Sequence, residues 1–241
     1  MRKSAIFLFF VAFCLTILGL SAQGGIAVSP QTARPKTEAE GKQKPEDSKQ
    51  RPVAKSKVYL LHSDLLRKDA THPDAQIVTG NVRFRHDSVY MYCDSACYYD
   101  KVSSFEAFGN VKMVQGDTLF LYGDRLYYDG LTQIAEMRCN VRMENRTTTL
   151  LTDSLNYDRV YNLGYFFDGG TLMDEQNVLT SEWGEYSPQT KQSVFNYNVK
   201  LVNPQFTLMS DTLRYNTASK VADIVGPSDI WSDANHIYSE K

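Results

Sequence analysis

The segment Leu119-Phe120-Leu121-Tyr122-Gly123-Asp124-Arg125-Leu126-Tyr127-Tyr128-Asp129 decides the fold, because its pieces recur along the chain. Asp124 is one of seven acidic residues, Asp64, Asp94, Asp124, Asp153, Glu182, Asp211 and Glu240, spaced 30, 30, 29, 29, 29 and 29 residues apart. Asp153 heads Ser154-Leu155-Asn156-Tyr157-Asp158, and Asp211 heads Thr212-Leu213-Arg214-Tyr215-Asn216. A fixed period near 30 residues marks a repeat architecture. Stacked similar units build a long surface or groove rather than one catalytic pocket.

With the acid as column zero, the repeat resolves into columns. Three places before it stand Leu61, Met91, Leu121, Leu150, Leu179, Leu208 and Ile237, all apolar. One place before it stands a small residue: Ser63, Cys93, Gly123, Thr152, Ser181, Ser210 or Ser239. Two places after it come Leu126, Leu155 and Leu213, and four places after it Tyr128, Tyr157 and Tyr215. A second motif follows, Gly80-Asn81-Val82, Gly109-Asn110-Val111, Cys139-Asn140-Val141 and Tyr197-Asn198-Val199. Two residues beyond each Val sits Phe84, Met113, Met143 or Leu201, with Met173 and Ile230 in the matching slots of the weaker repeats.

Alternation within these stretches has period two, which predicts strands. Parity adds a constraint. The apolar columns at −3 and +2 would face opposite ways on a straight strand. The small-residue/acid pair between them must therefore absorb a bulge or corner, where Asp can hydrogen-bond nearby backbone N–H groups. The Gly-Asn pair marks a second bend, and turns fall at Gln115-Gly116-Asp117 and Asp129-Gly130. No segment carries a helical period. The expected fold is all-β: stacked repeats of about 29 residues forming an open, taco-like β-jellyroll of bent antiparallel strands. Stacking at ~4.8 Å per strand turns the columns into apolar ladders. Facing ladders either interdigitate as a closed core or splay into a long apolar slot.

The bulk numbers agree with a folded domain. The chain has 241 residues, 42% hydrophobic and 22% charged, with a formal net charge of −2. That balance gives no electrostatic argument for nucleic acid. Fifteen Tyr and 12% aromatics favour strands. Arg2 and Lys3 precede an uncharged run, Ala5–Leu20, and the small residues Ser21-Ala22, so residues 1–22 read as a signal peptide for export. The alternative is an uncleaved anchor, although the run is shorter than the ~20 residues that span a bilayer. Residues 23–56 hold Pro30, Pro35, Pro45 and Pro52 with many charges and no aromatic, and read as a disordered linker. Residues 57–241 form the repeat domain. Cys93, Cys97 and Cys139 are odd in number and make no closed disulfide framework.

The alternation of Ala107-Phe108-Gly109-Asn110-Val111 with Leu119 to Asp129 resembles the OstA/LptA family of periplasmic lipopolysaccharide-transport proteins. The resemblance runs from about residue 58 to residue 241, with six blocks in register. It implies a jellyroll holding the acyl chains of lipid A between two sheets. It also implies partners: lipopolysaccharide, and other transport components or further copies joined by edge-strand addition. It places the chain in the periplasm, with or without association to the outer membrane, and implies no cofactor. The chain departs from the pattern where Asp168-Gly169-Gly170-Thr171 replaces Gly-Asn-Val and Glu182-Trp183-Gly184 replaces Asp-x-Leu. A local irregularity or a lateral opening is expected there.

The slot-lining candidates are Val82, Phe84, Met91, Val111, Met113, Leu121, Leu126, Tyr128, Val141, Met143, Leu150, Leu155, Tyr157, Met173, Leu179, Val199, Leu201, Leu208, Leu213 and Tyr215. Lys112, Arg125 and Arg142 are candidates to meet lipid phosphates at the slot mouth. His62, His72, His86 and His236 lack metal-ligand spacing, and no phosphate loop or nucleophile motif is present. An acidic column invites a calcium reading, but calcium-binding β-roll repeats are short and Gly-rich. The expected function is a non-enzymatic lipid carrier or bridge. The alternative is a structural β-repeat interaction domain with a closed core.

Overall fold

The computed structural model describes residues 56–68, 73–233 and 235–240. The expected signal peptide, almost all of the expected linker and His72 lie outside the described residues. The described chain is built of antiparallel strands, as the alternation predicts. They are β1 (Tyr59–His62), β2 (Leu65–Lys68), β3 (Gln76–His86), β4 (Val89–Tyr99), β5 (Ser104–Gln115), β6 (Leu119–Asp129), β7 (Ile134–Asn145) and β8 (Thr148–Asp158). Then come β9 (Leu163–Phe166), β10 (Gly170–Asp174), β11 (Asn177–Ser181), β12 (Trp183–Tyr186), β13 (Gln192–Val202), β14 (Thr207–Asn216), β15 (Val221–Ser232) and β16 (Asn235–Ser239).

Neighbours in sequence pair in space, so the sheet is a meander from β1 to β16. Each long strand bends at its middle, and the bends align into a fold line. Thr79 pairs with Ser95 and Val82 with Cys93, leaving Gly80-Asn81 opposite the single residue Asp94. The same two-against-one bulge sets Gly109-Asn110 opposite Asp124, Cys139-Asn140 opposite Asp153 and Tyr197-Asn198 opposite Asp211. Both bulge residues are left-handed each time, with φ of 75° and 45° at Gly109-Asn110 and 63° and 52° at Cys139-Asn140. The acid and the Gly-Asn pair therefore form one corner shared across strands, where the sequence suggested two separate bends.

The corner solves the parity conflict. In β6, Leu119, Leu121 and Gly123 are buried alternately, then Asp124 and Arg125 are both exposed, then Leu126 and Tyr128 are buried. Two exposed residues in a row carry the inward face across the bend. Side chains of the two arms meet inside. Phe84 of one arm stacks on Phe105 of the other with centroids 4.2 Å apart, and Phe105 tilts against Tyr128 at 5.5 Å.

The fourth repeat is irregular, as the sequence indicated. β9 and β10 are two halves of one strand, both paired with β8, and β11 and β12 likewise pair with β13. The break is not an opening: the Gly169 amide donates to the Glu182 carbonyl at 2.8 Å, and the Thr152 hydroxyl donates to the Gly169 carbonyl at 2.7 Å. Gly170 stands where other repeats have Val, and the ring of Phe166 fills the space its side chain would take. The inward position two residues on belongs to Leu172, paired with Leu150 and Leu179. Met173 is one residue out of phase and half-buried on the opposite face, which corrects its assignment to the interior.

The corner is testable at its glycines. A Cβ on Gly109 would lie 2.5 Å from Asp94 Oδ2 at a φ of +75°, whereas one on Gly116, at +65°, meets nothing within 4 Å. Gly116→Ala should lower stability by about 1 kcal/mol and Gly109→Ala by about 3, adding displacement of the corner carboxylate to left-handed strain. Urea midpoints of the two variants measure the difference; equal midpoints would show that Asp94 does not restrict the corner.

Candidate functional site

The fold creates an apolar interior between the two arms and a polar rim where the arms' free ends meet. The interior holds the ladders. Val82, Phe84, Met91, Val111, Met113, Leu121, Leu126, Tyr128, Val141, Met143, Leu150, Leu155, Tyr157, Leu179, Val199, Leu201, Leu208, Leu213 and Tyr215 are all within 2% of full burial and belong to one cluster. A further inward column went unread: Ala107, Met137, Phe166 and Phe195, each two residues before the corner. Its spacing of 30, 29 and 29 was visible in the sequence.

Along the corner, the Asn side chain donates to the acid of the neighbouring strand. Asn81 Nδ2 lies 3.0 Å from Asp64, Asn110 Nδ2 lies 2.8 Å from Asp94, and Asn140 Nδ2 lies 2.6 Å from Asp124. Asn198 makes the same bond to Glu182. The acidic column is thus an exposed structural ladder, in which Asp64, Asp94, Asp124 and Glu182 each accept from an Asn side chain and Asp153 accepts from the Asn140 backbone N–H.

The rim consists of repeated polar groups whose pairing across the arms sequence reasoning had not picked out. The inward rows of β3, β5, β7 and β10 end in His86, Gln115, Asn145 and Asp174. Each is joined to a Tyr of the opposite arm, directly or through a turn residue. Tyr128 Oη and His86 Nδ1 are 2.6 Å apart, and Arg159 donates to both. These donors make Nδ1 the acceptor, so the imidazole carries its proton on Nε2, facing the Ser56 hydroxyl. Gln115 and Tyr157 both donate to Asn162 Oδ1, at 2.8 and 3.2 Å. Tyr186 and Lys191 donate to Asn145 Oδ1. Tyr215 donates to fully buried Asp174 at 2.8 Å, and Lys220 pairs with the same carboxylate at 2.6 Å. The spacing of His86, Gln115, Asn145 and Asp174, 29, 30 and 29 residues, was the signal that would have revealed them.

Burial raises the phenols, taking Tyr128 and Tyr157 to about 12, so they remain hydrogen-bond donors at neutral pH. His86 is pushed down, first by burial and then by the Arg159 charge. The three proposed phosphate contacts lie elsewhere. Lys112 and Arg142 alternate with inward Val and Met residues and so point outward, over the Tyr122 ring at 5.5 and 4.5 Å. Arg125 points outward over Phe108 at 5.4 Å. The pleat requires this, and it corrects their placement at the mouth. No disulfide joins Cys93, Cys97 and Cys139.

A family model described as OstA-like protein matches residues 55–211, well over half of the chain. The chain belongs to the OstA-like family. No curated protein sequence matches it. Among solved structures it is similar to LptH of Pseudomonas aeruginosa, described as the LptA-homologous periplasmic component of that organism's lipopolysaccharide transport device. Identity is 12%, coverage is 44% of this chain and 80% of LptH, and the TM-score is 0.41. In this OstA-like protein the matched span contains every corner from Asp64 to Asp211 and every rim Tyr except Tyr215.

The His86 cluster sets a pH response. Its pKa is lowered in the folded chain from the ordinary 6.5, so below that value the unfolded chain binds the proton more readily. Stability is full above about pH 6.5 and is lost as pH falls through that value toward the folded pKa, by up to about 1.4 kcal/mol per pH unit. His86→Gln, which copies Gln115 of the next repeat, should flatten the urea-stability curve between about pH 7.5 and about pH 5. Parallel curves for variant and parent would remove His86 from the pH response.

Proposed function

We propose that this chain is a periplasmic carrier or bridge for lipopolysaccharide, holding lipid A acyl chains between the two arms. The observation that carries this reading is the apolar interior itself. It runs unbroken through the repeats from β3 to β14, so it can offer a long run of CH₂ contacts at ~0.8 kcal/mol each. Membership of the OstA-like family supports it. The interior is filled by its own side chains, so acyl chains enter by parting the arms at the rim, where the contacts are hydrogen bonds rather than strand pairing.

On the same reading, residues 1–22 direct export, residues 23–56 tether, and residues 57–241 bind. Transport partners or further copies add at sheet edges. The edge strands carry exposed apolar residues: Tyr59, Leu61, Leu65 and Leu66 on β1 and β2, and Ile237 and Tyr238 on β16. Such edges accept an added strand.

One observation favours the other reading, a structural β-repeat interaction domain. Facing ladders interdigitate, with Phe84 stacked on Phe105. Photo-crosslinking in cells separates the two. A photoreactive residue at Leu121 or Met143 should yield lipopolysaccharide adducts if acyl chains pass between the arms. Adducts to protein alone, from both positions, would sink the carrier reading and leave the closed core.

A further inference from the structure

We infer that a groove at the rim is a binding site for a phosphate group, carried on an ester or free. The groove, about 510 Å³, lies among the β7–β8 turn, the β12–β13 turn and the β14–β15 turn. Its charged residues are Arg146, Lys191, Lys220 and Glu175, and Thr148 and Thr217 add hydroxyls. Lys220 is already committed to carboxylates, at 2.6 Å from Asp174 and 3.5 Å from Glu175. Arg146 and Lys191 are not. Lys191 donates to the neutral amide oxygen of Asn145, and among the described residues Arg146 makes no ion pair. Two cations without an ion-pair partner among the described residues therefore line one concavity. Burial, and then the charge of Arg146, push the Lys191 ammonium below its ordinary pKa, as expected for a cation lacking a counter-ion. A phosphate supplies both the charge and the acceptors, because charge-assisted N–H···O bonds to its oxygens are the strong class.

The repeat shows that this pairing is particular to one place. Arg146 occupies a left-handed turn position that is Asp87, Gly116 or Glu175 in other repeats, with φ of 55°, 65° and 55°. Lys191 occupies another, which is Ser103, Gln133, Asn162 or Lys220 elsewhere. Only at this point in the stack are the facing members of the two columns both cations, and Glu175, which shares the groove, is paired with Lys220. The larger groove on the outer face, about 830 Å³, has no such bias: Lys112 and Arg142 share it with Asp124, Asp153 and Asp168. The rim groove also borders the seam between the arms. A phosphate held there can belong to a lipid whose acyl chains lie inside, and in that form the inference rests on the carrier reading. A free phosphate needs no such reading.

The test uses the full chain and the double variant Arg146→Asn/Lys191→Asn. Asn is chosen because Asn162 already occupies the Lys191 position of its own repeat at a φ of 52°. Inorganic pyrophosphate, bis-phosphorylated lipid A in micelles and the same lipid dephosphorylated are titrated against both proteins. If the phosphate is a lipid headgroup, the parent should bind phosphorylated lipid about tenfold or more tighter than dephosphorylated lipid, the scale of one charge-assisted hydrogen bond, and the double variant should lose that preference. If it is free, pyrophosphate binding should disappear in the variant while the two lipids bind alike. Equal titrations of parent and variant with all three ligands overturn the groove, and with lipid still captured they leave the carrier reading standing. Failure of the parent to bind either lipid sinks the carrier reading, and the pyrophosphate titration alone then decides the groove. Arg142→Gln, on the outer face, should change none of these values, and matched melting curves exclude misfolding as the cause of any loss.

Discussion

The structure depends on a two-against-one mismatch repeated along a line. Every long strand must keep its apolar side chains inward on both sides of a bend, and a regular pleat cannot do that. A bulge of two left-handed residues opposite one acid shifts the parity by one and turns the strand. Left-handed geometry costs ~1–2 kcal/mol per ordinary residue, less for Gly and Asn. The exposed Asn–acid bond beside it returns only about 1 kcal/mol, since water competes for both partners. The corner is therefore held mainly by what it makes possible, the burial of Val, Leu and Met columns on both arms. The Asn–acid ladder selects the geometry more than it stabilises the fold. This explains why Cys139 and Tyr197 can replace Gly at the first bulge position while Asn persists at the second.

At the other end of each arm the constraint is different. Two sheets that face each other across side chains expose the ends of their inward rows to water unless something covers them. Here the inward rows of β3, β5, β7 and β10 each end in a polar residue engaged with a Tyr phenol of the opposite arm or with that phenol's turn partner. Tyr suits the position because its ring extends the core while its hydroxyl ends at the water boundary. The corner is covalent chain, but the rim is held by side-chain hydrogen bonds and the Asp174–Lys220 ion pair. Any motion that opens the interior to a ligand without breaking strand pairing must therefore act at the rim.

The corner was legible in the sequence because parity is a property of order alone. The acid, its small neighbour and the switch from −3 to +2 all followed from counting. Nineteen interior residues followed from the same columns. Met173 failed for a local reason: Gly170 stands in the Val slot and Phe166 packs over it, so anchoring on the remaining apolar residue slipped the register by one. Lys112, Arg125 and Arg142 were misplaced although their neighbours already fixed which way they point. The rim escaped because its members share a role and not a chemistry. Imidazole, two amides and a carboxylate make one column only when the Tyr reaching across from the other arm is seen, and that contact joins residues some 41 or 42 apart rather than one period.

That chemical variety makes the rim uneven, while the corners beneath it are nearly identical. The Gln115–Asn162–Tyr157 group is neutral, and parting it gives up hydrogen bonds worth about 1 kcal/mol each, which water largely replaces. The Asp174–Lys220–Tyr215 group contains a fully buried carboxylate, and withdrawing its cation leaves a charge whose isolation costs several times more. Between them sits Lys191, bonded to an amide and held below its ordinary pKa by burial and then by the Arg146 charge. The resistance to opening thus changes along the stack, set by the polar groups of the rim rather than by the apolar columns. In a fold whose interior is repeated so closely, differences between one unit and the next can arise only where the columns are free to vary in chemistry. The rim is such a place, and the step at Asn145, Arg146 and Lys191 brings two cations together where the neighbouring repeats have other residues.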